Sequence, residues 1–208
     1  RFPVEGLMFA RESLSRLDAA DQPLSRAWAL RTVINLEIYA GAFEAAQERL
    51  REAMRIAQDG GDERLSIDLL FLQGDFAIRQ HDWAHARKCY TEALERSRTI
   101  NRRSTIGNCL HHLGIIALQE ADFVSAELLL TESCSILREH QDVANLGVPV
   151  RILGHLAIAR GDLDVAAGHI GESLSLNLQI MDRRGIAACL AAYAAIILAQ
   201  GNLTLATT

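Results

Sequence analysis

The chain has 208 residues, with 21 Lys and Arg against 26 Asp and Glu, a net charge of −5, and an apolar share of 50% of which little is aromatic (5%). That balance leaves no basic footprint for nucleic acid or an anionic membrane surface, and it is too apolar and too weakly charged for a disordered chain. With only 3 Pro and 14 Gly, and with abundant Ala and Leu, the composition favours helices over short strands.

Taken in chain order, the opening Arg1-Phe2-Pro3-Val4-Glu5 carries no basic-then-apolar signal. Further on, the sequence repeats itself every 40 residues without slippage. Ala46, Ala86, Ala126, Ala166 and Ala206 mark one register. Phe43, Trp83, Phe123, Leu163 and Leu203 stand three residues before them. Ala42, Asp82, Asp122, Asp162 and Asn202 come one residue earlier still. Two more registers lie upstream: Ile34, Gly74, Gly114, Gly154 and Ala194, then Leu30, Leu70, Leu110, Val150 and Leu190. Agreement of five registers at one period is the mark of stacked supersecondary units.

Within a unit, Leu110, Leu113, Ile116 and Ala117 recur at helical spacing. Glu120-Ala121-Asp122 then breaks the pattern, and a second stripe runs from Phe123 through Ala126, Leu130 and Leu137. Each unit therefore reads as helix, tight turn, longer helix and a polar loop such as Asp59-Gly60-Gly61-Asp62 or Thr99-Ile100-Asn101-Arg102. Asp82, Asp122 and Asp162 are expected to cap the second helices. Gly74, Gly114 and Gly154 are expected to let paired helices approach, with Ala86, Ala126 and Ala166 as the reciprocal gap. The aromatics at 43, 83 and 123 are expected to fill the space near the turn. Pro149, early in a first helix, predicts a start delayed to 146–148, since an interior proline breaks the hydrogen-bond ladder.

The spacing Leu110-x2-Leu113-Gly114-x2-Ala117 with Ala126-x3-Leu130 resembles the tetratricopeptide signature. Val150-x2-Leu153-Gly154-x2-Ala157 with Ala166-x3-Ile170 repeats it, and Leu70-x2-Gln73-Gly74-x2-Ala77 with Ala86-x3-Tyr90 departs only at Gln73. A period of 40 in place of 34, no closing proline, and stretches such as Asp182-Arg-Arg-Gly-Ile186 and Leu198-Ala-Gln-Gly-Asn202 resemble one subgroup. These are the C-terminal regions of bacterial ATP-binding regulators of the LuxR and AfsR type. The resemblance implies an all-α, right-handed superhelix of antiparallel hairpins, forming a single domain over 1–208. Its units fall at about 1–24 (partial), 25–63, 64–103, 104–143, 144–183 and 184–208 (partial). Gly6 to Leu17 aligns with Ala46 to Ala57, so the chain is expected to open on a second helix and to close, from Gly201 on, with the first turn of another. It reads as a piece of a longer protein.

In such superhelices the first helix of each unit lines the concave side. The inward positions would be Trp28, Arg31, Asn35, Ile38 and Tyr39 in the first unit, and Asp68, Phe71, Asp75, Ile78 and Arg79 in the second. The third would offer Asn108, His111, Ile115, Leu118 and Gln119, and the fourth Val148, Arg151, His155, Ile158 and Ala159. The fifth offers only Ala188, Ala191, Ala195, Leu198 and Ala199, an uncapped surface expected to self-associate. The mixed aromatic, cationic and amide groups suit a protein or peptide partner. A small-molecule inducer, such as a metabolite or oligosaccharide, is the alternative, and a solvated face with no ligand is the bland one. The paired Lys and Asn that grip C-terminal carboxylates in other tetratricopeptide grooves are absent from this set.

No phosphate-binding Gly-rich loop, H-E-x-x-H or G-x-S-x-G motif occurs, so neither catalysis nor a cofactor is expected. His81 and His85 lack a third ligand by spacing and read as exposed turn residues. His111 and His112, being adjacent, are expected to point apart. Glu44, Glu48 and Glu52 read as a solvated outer face. Cys89, Cys109, Cys134 and Cys189, far apart, read as buried reduced thiols in a cytoplasmic protein. The apolar run Ile186–Ala199 falls short of the roughly 20 residues of a membrane span and reads as a buried helix. A sequon at Asn202-Leu203-Thr204 reads as chance in a chain without a secretory signal. The resemblance implies a regulatory interaction module of a transcriptional regulator or signalling ATPase.

Overall fold

A computed structural model describes residues 2–15 and 22–206. Ten helices and no strand occur among the described residues: α1 (Phe2–Ser15), α2 (Pro23–Ala40), α3 (Phe43–Asp59), α4 (Glu63–Arg79), α5 (Trp83–Thr99), α6 (Arg103–Gln119), α7 (Phe123–Glu139), α8 (Val143–Arg160), α9 (Leu163–Gln179) and α10 (Arg183–Ala206). The fold is a repeated array of antiparallel helical hairpins. Part of the 1–24 unit (residues 1 and 16–21) and the side chains of the 202–204 sequon lie outside the described residues.

The chain forms two compact bodies, Arg1–Arg96 and Ser97–Thr208. In the N-terminal body, Ala27, Leu30, Val33, Ile34 and Ile38 of α2 meet Leu14 of α1, Ala46, Leu50 and Ala53 of α3, and Leu65, Leu69 and Leu72 of α4. In the C-terminal body, Leu130, Cys134 and Leu137 of α7 pack with Leu146, Val150 and Leu153 of α8. Ala166 and Ile170 of α9 pack with Cys189, Ala192 and Ile196 of α10. Leu30, Leu110 and Val150 are fully or almost fully buried.

The two helices of a hairpin are equally long, not short and long as the sequence suggested: α4, α5, α6 and α7 each have 17 residues. The cause lies in the connections, which are turns of two or three residues at both ends of a hairpin. A left-handed residue recurs every 20 positions: Gly41, Gly61, His81, Asn101, Ala121, Gln141, Gly161 and Met181. At Ala121 (φ 59°), its N–H bonds to the Leu118 carbonyl at 3.1 Å, and the Asp122 N–H bonds to Ala117 at 2.9 Å. That is the Schellman termination, after which Asp122 starts the next helix by accepting from Ser125 N. Asp82 caps α5 in the same way through His85 N. Asp162 occupies the cap position of α9 without a side-chain cap bond, contrary to expectation. Asp62 and Asp142 supply caps the sequence reading missed, to Leu65 N and Asn145 N.

The glycine register behaves as expected, with a different partner. A Cβ at Gly74 would lie 2.7 Å from the Tyr90 ring, at Gly114 2.8 Å from Leu130, and at Gly154 2.7 Å from Ile170. The facing bulk therefore sits four residues after the conserved-register alanine, and Ala86, Ala126 and Ala166 are themselves fully buried.

Four expectations are corrected. Helix α8 begins at Val143, with Pro149 buried inside it. Asp142 anchors the first turn through both the backbone and the side-chain nitrogen of Asn145, and packing of Leu146 and Val150 offsets the missing proline donor. Helix α10 runs through Gly201 without the turn expected there. Gly201 does not take the left-handed backbone that ends helices at Gly41 and Gly161, so the ladder continues through it. Nor is α10 a buried helix: Leu190, Ile197 and Leu198 are 55%, 64% and 68% exposed. Arg183–Gly201 is long and apolar enough to cross a membrane by length and composition, and only 17% of its most apolar window is buried. Finally, Phe43 packs edge-on against Phe76, with centroids 5.9 Å apart, but Phe123 is 54% exposed, because Leu156 stands at the position equivalent to Phe76.

Candidate functional site

In the N-terminal body the exposed sides of α2 and α4 lie next to each other, and the repeat brings their side chains into contact. The indole N–H of Trp28 donates to Asp62 Oδ2 at 3.0 Å, the residue whose other oxygen caps α4. The Arg31 guanidinium lies over the Trp28 ring, 5.8 Å from its centroid, and pairs with Asp68 at 3.0 Å. Three turns further along, Arg79 of α4 covers Tyr39 of α2 at 5.0 Å. Trp28, Asn35, Tyr39 and Arg79 are exposed, whereas Arg31, Phe71 and Asp75 are half-buried. Phe71 meets Tyr90 edge-on at 5.2 Å, and the Tyr90 hydroxyl donates to Asp75 at 2.6 Å. Burial raises the Asp75 carboxyl to about 6, against the lowering effects of the Tyr90 hydrogen bond and the Arg79 charge. Cation–π contacts of this kind are worth about 0.5–1 kcal/mol at exposed positions, so they hold both rings in place and leave one face of each open.

In the C-terminal body the same positions carry Asn108, His111 and Gln119 on α6 and Arg151 and His155 on α8. Gln119 and His155 are exposed, and Asn108 and Arg151 half-buried. Arg151 Nη1 lies 3.4 Å from His155 Nε2. The His155 imidazole is held below its usual range by burial and by that guanidinium. Burial pushes His111 well below the usual range, with His112 and Arg151 adding to the effect, and lowers His112 to about 4.

Three of the expected positions differ from the sequence reading. Asp68 and His111 are 9% and 8% exposed, and Ile38 is 2%: neighbouring first helices pack closely enough to close over them. The His111 and His112 rings do not point apart but lie 4.6 Å from centroid to centroid, since both side chains fold under the helix surface. His85 is half-buried, with Nε2 3.1 Å from Gln73 and 3.7 Å from Cys89, while His81 is exposed in its turn. Glu52 is half-buried against Arg26 at 2.7 Å. None of the four cysteines forms a disulfide and all four are buried; burial raises Cys89 and Cys134 to about 11, so these two are thiols without nucleophilic character. Among the described residues no cluster of His, Cys, Asp and Glu fits a metal ion.

One arrangement had no signal in the sequence. Glu37, fully buried in α2, accepts from Arg11 of α1 at 2.7 Å and from Arg49 of α3 at 2.8 Å. A carboxylate on an apolar stripe becomes legible only when both guanidinium partners are placed. A cleft of about 440 Å³ in this body is lined by Met54, Gly61, Ser66 and Arg96, and by neither Trp28 nor Tyr39.

The model of the tetratricopeptide repeat family matches residues 63–139. No curated protein matches the sequence significantly. Among solved structures, BtubC from P. vanneervenii is similar over 99% of this chain and 87% of its own, at 18% identity and a TM-score of 0.68. A Rap protein complexed with Competence and Sporulation Factor is similar over 88% of this chain and 51% of its own, at 15% identity and a TM-score of 0.78. A signal transduction ATPase with numerous domains and a tetratricopeptide repeat sensor, from Pyrococcus horikoshii, is similar over 89% of this chain, at 14% identity and a TM-score of 0.69. This chain spans 28% of that protein. At these identities the likeness establishes the tetratricopeptide-like fold.

Proposed function

From a chain of tetratricopeptide-like hairpins, a fold that generally serves as a non-catalytic scaffold, we infer a protein–protein interaction module that receives a peptide segment on the exposed side of α2 and α4. The observation that carries this reading is the pair of braced rings: Trp28 fixed by Arg31 and Asp62, and Tyr39 fixed by Arg79. Rigid aromatic anchors with a cationic rim supply binding area at small entropic cost. Trp28 and Tyr39, both exposed on α2, stand roughly 16 Å apart along the helix at about 1.5 Å per residue, a span that suits an extended peptide better than an enclosed small inducer. We extend the reading to the sensing part of a cytoplasmic signalling regulator. The likeness to an ATPase with a tetratricopeptide repeat sensor and to a Rap protein complexed with a signalling factor supports that extension.

Selection of peptides from a displayed random library against this chain, followed by titration monitored through Trp28 fluorescence, tests the reading. Selected peptides are expected to saturate, with Tyr39→Ala and Arg79→Ala each weakening Kd on the order of fivefold to thirtyfold, the effect of losing one anchor worth about 1–2 kcal/mol. Failure to select any saturable peptide, or binding indifferent to both substitutions, overturns it.

A further inference from the structure

We propose that Arg151, His155 and His111 of the C-terminal body form a subsite for a carboxylate side chain of a peptide ligand of that body.

The repeat itself exposes the vacancy. In the N-terminal body Arg31 on α2 pairs with Asp68, the residue 37 positions later on α4. Arg151 occupies the register of Arg31 three periods on, and the residue 37 positions after it is Ala188 on α10. The slot that holds an acid opposite one guanidinium therefore holds a methyl group opposite the other. No carboxylate pairs with Arg151 among the described residues. Its polar neighbour is His155, whose Nε2 accepts from the guanidinium at 3.4 Å and whose Nδ1 is left as the donor.

A second, independent observation lies on the adjacent first helix. His111 shares the Arg151 register one period earlier, on α6, which packs directly against α8. It is 8% exposed, and its Nε2 has no hydrogen-bond partner. An orphaned buried polar atom is unfavourable, and with its proton on Nε2 this imidazole would donate to a bound acceptor. The residue 37 positions after His111 is Val148, so no internal acid serves this position either. Guanidinium, exposed imidazole and orphaned buried imidazole thus lie along neighbouring first helices with nothing anionic among them. Planar guanidinium donors match a carboxylate in geometry as well as charge.

The inference rests on the peptide-binding reading but is tested apart from it. The full chain, with ¹⁵N-labelled histidines, is titrated with N-acetyl-Ala-Glu-Ala-amide, with its Gln counterpart, and with inorganic phosphate. The Glu peptide is expected to shift the His155 and His111 imidazole nitrogens saturably, and the Gln peptide to leave them unmoved. Arg151→Gln is expected to weaken that binding at least tenfold. Ala188→Asp, which restores the acid found opposite Arg31, is expected to abolish it by occupying the guanidinium from within, with the helical circular dichroism retained. Absence of saturable shifts, shifts unchanged in both variants, or a response to phosphate alone overturns the proposal. Library peptides that still bind through Tyr39 and Arg79 while the histidine shifts are absent overturn the subsite and leave the interaction module standing.

Discussion

At the scale of single residues, the repeat is enforced by the volume at a few glycines. Gly114 and Gly168 both lie inside helices, yet their surroundings are opposite. A Cβ at Gly114 would come within 2.8 Å of Leu130 Cγ, whereas one at Gly168 would meet nothing within 4 Å. Leu130 is fully buried and cannot swing away. Gly114→Ala is therefore expected to destabilise the chain by about 1–2 kcal/mol, overpacking outweighing the gain in helix propensity. Gly168→Ala is expected to stabilise it by up to about 1 kcal/mol. Denaturant midpoints moving in opposite directions verify this pair; movement in the same direction contradicts the assigned packing.

At the scale of elements, buried titratable groups tie helix packing to pH. Burial holds His112 of α6 at about 4, below the ordinary imidazole value of about 6.5. Between those values the unfolded chain binds the proton and the folded one does not. Its contribution to stability is therefore complete above about pH 6.5 and is lost as pH falls towards 4. Asp75 of α4 works the other way. Its carboxyl is raised to about 6, so between about 3.8 and 6 the folded chain binds the extra proton and gains stability as pH falls. His112→Leu is expected to flatten the loss of stability between pH 6.5 and 4.5, and Asp75→Asn to steepen it, each by on the order of 1–2 kcal/mol. Unfolding curves at stepped pH would show these opposed slopes; identical slopes in the three proteins would refute the assignment.

At the scale of the whole molecule, the two ends of the array differ in how their helices are covered. Among the described side chains of α10, only Cys189, Ala192 and Ile196 are buried, while Leu190, Ile197 and Leu198 form an exposed apolar row. The registers of Leu190 and Ala194 are those that Leu110 and Gly114 bury against α7. Such a row favours association, and this chain is expected to sediment with a concentration-dependent mass. Leu198→Glu with Ile197→Glu should return it to the monomer without loss of helix content. A mass independent of concentration in the parent chain would contradict this.

The sequence by itself determined the period, the hairpin, the register of the close approaches and most of the positions presented by first helices. All of these follow from local spacing: 40 residues of recurrence, apolar residues at helical intervals, and Gly or Asp where a turn needs them. What it could not determine depended on neighbours distant along the chain. Asp68 and His111 read as surface positions because helical phase alone counts them so, and only packing of adjacent first helices buries them. Pro149 read as a boundary because propensity is local, while Asp142 and the surrounding core hold α8 together across it. Glu37 carries no signal in the sequence, because its partners Arg11 and Arg49 come from two other helices. The tertiary structure also decided what Arg31 and Arg151 share and where they part. The same register holds both guanidinium groups, but only one finds an acid across the helix pair, because the opposing residue is set 37 positions away and not by any local rule.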